Sequence, residues 1–462
     1  MKVLFVQNFC FEYIGVSYLS AALKAKGMAT DVLIEKKPSK VIDYVRSHKP
    51  DVVAMPVITG YEAFYRRVCA LAREVSKHLV MVVGGPHVTF FPEFVRSPGV
   101  TFGVKGEADS AFPHALAHLD ALEDLPNIIT ADKPHCELAP LVADLDQLPV
   151  PDRDLYLDRY PFLSAMPNKH FVTGRGCPFG CAFCFNVSLK EMYKGKGPFV
   201  RRLSPRRVIE EITQVRKQHA LSAVRFDDDV FVLHKQWLRD FLPLYARRVG
   251  LPFSCLIRAG YVDDDLAALL KESGCRFVQF GVESGDPRLR NEVLQKGVAD
   301  KDIVHTAAVL HRQGLAFGTF NMLNIPGETL RQGYATLALN QRIATDLPWC
   351  SVIQPYPNTR LGDYAVAHGF MDAEKERIQG SYFNRGPMWN RDSRKLQRLQ
   401  KLFFLACKLN WSYKTVAFLV SLPLDVFFRL VFFLTFGFRY MKTYRLNLWQ
   451  LLKLGLKTRG NF

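Results

Sequence analysis

The stretch GRGCPFGCAFCF, residues 174–185, sets Cys177, Cys181 and Cys184 on one loop directly after the strand-like run HFVT at His170. Three thiolates on one loop can ligate three irons of a four-iron cubane and leave the fourth iron open. A structural zinc site is the plainer alternative, but it normally takes four ligands and paired CxxC knuckles, and no second knuckle is present. The remaining cysteines, Cys10, Cys69, Cys136, Cys255, Cys275, Cys350 and Cys407, are scattered and read as small buried side chains. Three of ten cysteines crowded into eight residues fit metal binding in a reducing compartment and not a disulfide scaffold.

Downstream of the loop the same strand-then-helix rhythm repeats. HFVTGRG, AVRFDDD, FSCLIR, FVQFGVESG, AFGTFNMLNIPGE and WCSVIQPYP read as six strands separated by helical stretches. Six repeats predict a partial (β/α)6 TIM-type barrel over residues 167–375, with its active site at the carboxyl ends of the strands. Upstream, VLFV at Val3, DVLI at Asp31, DVVAMPV at Asp51, VMVVGG at Val80 and FGVKG at Phe102 alternate with amphipathic stretches such as YEAFYRRVCALAREV. This predicts an α/β, doubly wound, Rossmann-like domain over residues 1–125. Its ligand would sit beyond the strand ends, near Asn8, Pro56 to Gly60, Gly84 to His87, and Gly106-Glu107. The Pro- and Asp-rich passage 126–166, including LPVPDRD, lacks clear periodicity and reads as a linker over the surface.

With the cysteine motif, the runs GGPHVTFFPE at Gly84, VKGEAD at Val104, FDDDVF at Phe226, GVESGDPRL at Gly281, IPGET at Ile325 and QPYPNTRL at Gln354 make residues 1 to 370 resemble the cobalamin-binding subgroup of the radical S-adenosylmethionine (SAM) superfamily. The resemblance implies a 4Fe-4S cluster on Cys177, Cys181 and Cys184, with the amino and carboxylate groups of SAM at the open iron. It also implies SAM across the barrel's strand ends, where Asp228, Arg258 and Glu283 have the chemistry to hold its adenosine, carboxylate, and ribose or amino groups. Each has a plainer role as a loop cap, an ion pair or a helix cap. For cobalamin, Gly84 and Gly85 allow close backbone approach and Thr59 and Thr89 offer hydroxyls, although the two glycines also suit a tight turn. The early loop QNFCFEYIGVS lacks the histidine of the Asp-x-His-x-x-Gly pattern, so the lower cobalt face would carry water or another group. His87 reads as a hydrogen-bonding residue and not a cobalt ligand, and Tyr356 is placed for substrate contact by position alone.

The 462 residues are 48% hydrophobic and 23% charged, which excludes a broadly disordered chain. The formal charge of +17 is unevenly spread: from Arg391 onward fourteen Lys or Arg face only Asp392 and Asp425, a surplus of twelve. Over residues 376–462 a basic amphipathic helix, RKLQRLQKLFFLACKLNW, precedes VAFLVSLPLDVFFRLVFFLTFGF, which Pro423, Asp425 and Arg429 interrupt. Charges at a bilayer centre cost roughly 3 kcal/mol each, so a helical hairpin, interfacial or core-packed, is expected in place of a span. Two readings of this apolar, basic region stay open: contact with an anionic membrane surface, and cover for the open side of the barrel. No nucleic-acid-reading motif accompanies the charge, so no nucleic-acid partner is expected. The start, MKVLFVQNF, lacks a secretory h-region, and a cytoplasmic location, with a peripheral membrane position left open, is expected.

The leading functional reading is cobalamin-dependent methylation of an unactivated carbon on a small hydrophobic substrate, with an electron donor such as a flavodoxin or ferredoxin. Radical cyclisation or carbon–carbon bond formation stays open beside it. So does, in another class, a membrane-associated cobalamin sensor, against which the intact cysteine triad counts.

Overall fold

The computed structural model describes residues 1–372, 378, 386–444 and 449, and the chain forms two compact units. The first is built from Met1–Pro167 and Leu189–Ala220. Its sheet has the order β2-β1-β3-β4-β5-β6, with β1 Lys2–Gln7, β2 Ala29–Ile34, β3 Val52–Pro56, β4 Val80–Gly84, β5 Phe102–Val104 and β6 Ile128–Ile129. All pairings are parallel except β5 with β6. The strands are near-continuous apolar runs because helices cover both faces of a parallel sheet. Val53, Met55, Met81 and Val83 pack with Tyr65, Val68 and Cys69 of the helix Glu62–Val75 in one buried cluster. The strand order reverses between β1 and β3, which opens a crevice beyond their carboxyl ends where Asn8 and Val57 to Gly60 lie.

The passage 126–166, expected as a surface linker, is packed structure of this unit. It supplies β6, and Leu138, Leu141, Leu145 and Tyr156 are buried. Arg153, itself buried, bridges Glu12 at 2.5 Å and Glu211 at 2.9 Å. The Tyr156 hydroxyl donates to Gln7 Oε1 at 2.5 Å. The sequence hid this because the passage buries isolated apolar side chains, spaced neither at two nor at 3.6 residues. The helix Pro205–Gln218, which carries Glu211, also belongs to the first unit and not to the barrel expected from 167.

The second unit comprises Asn168–Ser188 and the chain from Leu221 on. Its six strands are β7 Asn168–Phe171, β8 Ala223–Phe226, β9 Phe253–Ile257, β10 Cys275–Glu283, β11 Ala316–Leu323 and β12 Leu347–Val352. They lie side by side in chain order, all parallel, which is the expected partial barrel. Phe226 faces outward and stacks on Phe231 at 4.8 Å, with Phe241 and Tyr245 of the helix Lys235–Arg248 edge-on to it. Strand alternation therefore turns its neighbour Arg225 to the concave side.

Three helices close the described chain. Ser393–Lys408 is the expected basic amphipathic helix, and its Leu396, Leu399 and Phe403 pack on Leu323, Leu337 and Cys350. The apolar stretch after it breaks at Pro423 into Tyr413–Ser421 and Asp425–Tyr444. Asp425 at the start of the last helix accepts from Arg394 at 2.9 Å and from Arg398 at 2.8 Å. Among the described residues no helix is long and apolar enough to cross a membrane. Arg445, Lys453, Lys457 and Arg459 of the basic tail lie outside the described residues.

Candidate functional site

The cysteine loop leaves β7 through Thr173, whose backbone N–H (3.1 Å) and hydroxyl (2.7 Å) both donate to Asp228 Oδ1. Asp228 follows β8 and is buried. It therefore braces the entrance of the cysteine loop. Within the loop Cys184 N–H donates to Cys181 O at 3.1 Å, and Ala182 N–H donates to Leu294 O at 2.9 Å. Ala182 is buried among Leu289, Val293, Leu294, Ile325 and Leu361. The loop is thus nailed at its centre, with the cysteines arranged around the nail.

All three cysteines are free thiols. Burial pushes the Cys177 thiol up and the Cys184 thiol up to about 11. Protonated thiols at neutral pH are the state from which iron binding would release protons. The donor set fits a cubane: three sulfurs on one loop, and a cation, Arg258, whose Nη1 stands 3.8 Å from Cys181 Sγ.

Arg258 directly follows β9 and is buried, its Cζ 3.8 Å from the centre of the Phe179 ring. Its Nη2 donates to the carbonyl of Lys296. Phe179, Gly180, Arg258, Tyr261, Lys296 and Asp302 line a cavity of about 380 Å³ beside the cysteine loop. The Lys296 ammonium donates to Glu283 Oε1 at 2.7 Å, and both residues are buried. Glu283 ends β10 at φ 62°, just after a register shift, and its Oε2 has no hydrogen-bond partner among the described residues. A Cβ on Gly281 would lie 1.8 Å from Glu283 Oε1 and 2.4 Å from Lys296 Nζ, so the first glycine of GVESG keeps room for this ion pair. An orphaned carboxylate oxygen beside two cations, next to the cluster loop, fits a ligand that carries both an amino and a carboxylate group. The structure thus brings Arg258 and Glu283 together through Lys296, which sequence reading did not single out.

A second polar group on the concave side was also missed. His170 Nδ1 bonds Asp227 Oδ2, Arg225 Nε donates to Asp227 Oδ1 at 2.6 Å, and Arg225 Nη1 donates to Gln279 Oε1 at 2.8 Å. Burial alone would raise the Asp227 carboxyl, but the bonds from His170 and Arg225 hold it below its ordinary value. The only sequence signal for this group was strand parity: His170 and Arg225 alternate with the outward Phe171 and Phe226. Tyr356 packs its ring 5.1 Å from that of Phe185, next to Cys184. In IPGET, Glu328 Oε2 accepts from Ile325 N–H at 3.0 Å and braces the turn, and burial pushes its carboxyl up to about 8.

In the first unit the nominated residues cluster at the strand ends but are turned inward. Thr59 Oγ1 shares a 3.1 Å bond with His87 Nδ1, and Thr89 Oγ1 accepts from Gly106 N–H at 3.1 Å. His87 is buried, stacks on Phe91 at 4.8 Å, and is held below its ordinary value by burial. It lies in the short helix Gly85–Phe90. The glycines differ. Gly84 is extended and a Cβ there would make ordinary contact with Val104 O at 3.6 Å. Gly85 needs φ 86°, and a Cβ there would press on Val57 O at 3.1 Å. The second glycine therefore brings the β4 turn close to the β3 turn across the crevice.

Two family models match the chain, the B12 binding domain over residues 3–116 and the radical SAM superfamily over residues 171–339. The chain joins a B12-binding domain to a radical SAM domain, the pairing that marks the cobalamin-binding subgroup of the radical SAM superfamily. This family carries a 4Fe-4S cluster and SAM in the barrel and takes cobalamin in the B12-binding domain. Among its relatives, an uncharacterized methyltransferase of Pyrococcus horikoshii is 29% identical over 78% of this chain and 79% of that protein. The anaerobic magnesium-protoporphyrin IX monomethyl ester cyclase of Rubrivivax gelatinosus is 24% identical over 75% of this chain and 65% of its own length. Two radical SAM structures share the fold. The methyltransferase TsrM of Kitasatospora setae, with cobalamin and a [4Fe-4S] cluster bound, has a TM-score of 0.65 at 17% identity over 79% of this chain and 78% of its own. The enzyme OxsB, with aqua-cobalamin and SAM bound, has a TM-score of 0.70 at 14% identity over 99% of this chain and 75% of its own.

Proposed function

We propose that this radical SAM enzyme transfers a methyl group to an unactivated carbon of a small hydrophobic substrate, drawing electrons from a flavodoxin- or ferredoxin-like donor and meeting a membrane peripherally. The observation that carries the barrel half of this reading is the juxtaposition of the free Cys177, Cys181 and Cys184 with Arg258, Lys296 and the orphaned Glu283 oxygen. When bound, the cluster supplies the electron that cleaves SAM to a 5′-deoxyadenosyl radical, and cobalamin supplies the methyl carrier.

The chain's own residues do the positioning. Cys177, Cys181 and Cys184 would hold three irons. Asp228 fixes the loop that presents them by taking both donors of Thr173. Glu283 would receive the SAM amino group or ribose hydroxyls at its unpaired oxygen, and Arg258 with Lys296 would face the SAM carboxylate. In the first unit the Gly85 turn and the braced Thr59 and Thr89 would shape the corrin crevice. The polar set His170, Asp227, Arg225 and Gln279 leaves the concave wall able to orient a polar handle on an otherwise apolar substrate.

The test is incubation with SAM labelled in the methyl group, a low-potential reductant and candidate hydrophobic acceptors. One labelled methyl per product, with 5′-deoxyadenosine and S-adenosylhomocysteine both formed, is the expected result. The R. gelatinosus relative favours a second reading, ring closure. Product formed with 5′-deoxyadenosine but without label would select it.

A further inference from the structure

We propose that the last described helix, Asp425–Tyr444, together with Tyr413–Ser421, forms a docking surface for an anionic lipid membrane and lies flat in the interface. The proposal rests on the peripheral contact put forward above and names the surface and the lipid chemistry.

Val426, Phe427, Leu430, Phe433, Leu434 and Phe438 are exposed, Val426 by 74% and Leu434 by 67%. They recur at the three- and four-residue spacing that places side chains on one face of a helix. The opposite face is spent on packing. Phe428 joins the cluster formed with Leu396, Leu399 and Phe403. Phe432 is buried, and Arg439 is buried with its guanidinium 4.9 Å from the Trp349 ring centre and donating to Pro348 O at 3.1 Å. The helix is therefore fixed on the barrel by one side while it holds out an apolar stripe on the other. On the preceding helix Phe418 is exposed as well, by 66%.

A contiguous apolar stripe of this kind marks a contact site, and its surroundings say what it contacts. Arg429 and Lys414 are exposed on the same two helices. Of the basic residues from Arg391 on, Arg391, Arg394, Lys395, Lys408, Lys414 and Arg429 are exposed, and Asp425, one of only two acidic residues there, is taken up by Arg394 and Arg398. A second copy of this chain would bring the same positive surplus against itself. Anionic headgroups complement it, while the stripe has the apolar depth for the headgroup and acyl boundary. No described helix is long and apolar enough to span a bilayer, so the fit is to one leaflet.

The test is flotation of the full chain with vesicles of phosphatidylcholine alone and of phosphatidylcholine mixed with phosphatidylglycerol, without SAM or reductant. Binding to the anionic vesicles, weakened by salt, and absent from the neutral ones is expected. Phe427→Glu with Leu430→Glu and Phe433→Glu changes only exposed positions and is expected to abolish flotation with the thermal transition unchanged. Arg429→Ala and Lys414→Ala are each expected to weaken it about fivefold, on the order of 1 kcal/mol. Wild-type chain that fails to float, or a triple variant that floats as well as wild type, overturns the proposal. Self-association that the triple variant abolishes, without flotation, would assign the stripe to a second copy instead. Because flotation is read without turnover, its failure leaves the methyl-transfer reading standing, and failure of methyl transfer leaves the surface standing.

Discussion

Cys181→Ala is expected to lower 5′-deoxyadenosine formation from SAM to the level seen without protein. Two thiolates cannot replace three on a cubane, and Cys181 is the buried member of the set, adjacent to Ala182, which fixes the loop. Cobalamin uptake by the first unit is expected to be unchanged, so the loss is separable from misfolding. Cys136→Ser, at one of the scattered cysteines, is expected to keep both cluster and deoxyadenosine. The check is a liquid-chromatographic assay for deoxyadenosine on anaerobically reconstituted protein. Turnover by Cys181→Ala at the wild-type rate would mean that the loop holds no cluster.

The second large effect is expected at Lys296→Met. The lysine is the ion-pair partner of a buried carboxylate, and removing one member of such a pair leaves an uncompensated charge, which costs about 3–5 kcal/mol. Denaturant unfolding of Lys296→Met should show a loss of that size in the second unit. Adding Glu283→Gln removes the stranded charge and is expected to return most of the stability. SAM affinity follows a different course: it is expected to stay low in the double variant, because two of the three groups proposed to meet SAM are then gone and only Arg258 remains. A double variant that binds SAM like wild type would reduce the pair to a structural strut.

These two sites differ in how far the sequence shows them. The cysteine triad is legible because its ligands sit within eight residues, and the six barrel strands and five parallel strands of the first domain are legible because each is an apolar run closed by glycine or polar residues. Arg258 and Glu283 are legible as polar residues at strand ends. Lys296 is not, since a loop beyond β10 carries it back to Glu283 and no local period records that return. Phe179 stands inside the quoted motif, yet its role depends on Arg258, which is distant in the chain. Asp228 is legible as a polar residue at a strand end, but the bond of its carboxylate to Thr173 is not, because the two lie 55 residues apart in the chain.

The passage 126–166 marks the other limit. Its prolines and aspartates read as a linker because irregular backbone carries no periodic signal. Burial of Tyr156 and the Arg153 bridge to Glu12 and Glu211 depends on residues far away in the chain. The C-terminal hairpin fell between these cases. Pro423, Asp425 and Arg429 made a helical hairpin the expected form in place of a span, but which face of the last helix stays outside became visible only once Phe428, Phe432 and Arg439 were placed.

The most direct test of a radical SAM chemistry is anaerobic reconstitution of the full chain with iron, sulfide and hydroxocobalamin, followed by absorption spectra and the deoxyadenosine assay with SAM and a low-potential reductant. A bleachable iron–sulfur band, a retained corrin spectrum and deoxyadenosine in the same sample are expected. A properly reconstituted chain with no cluster and no deoxyadenosine would contradict that chemistry.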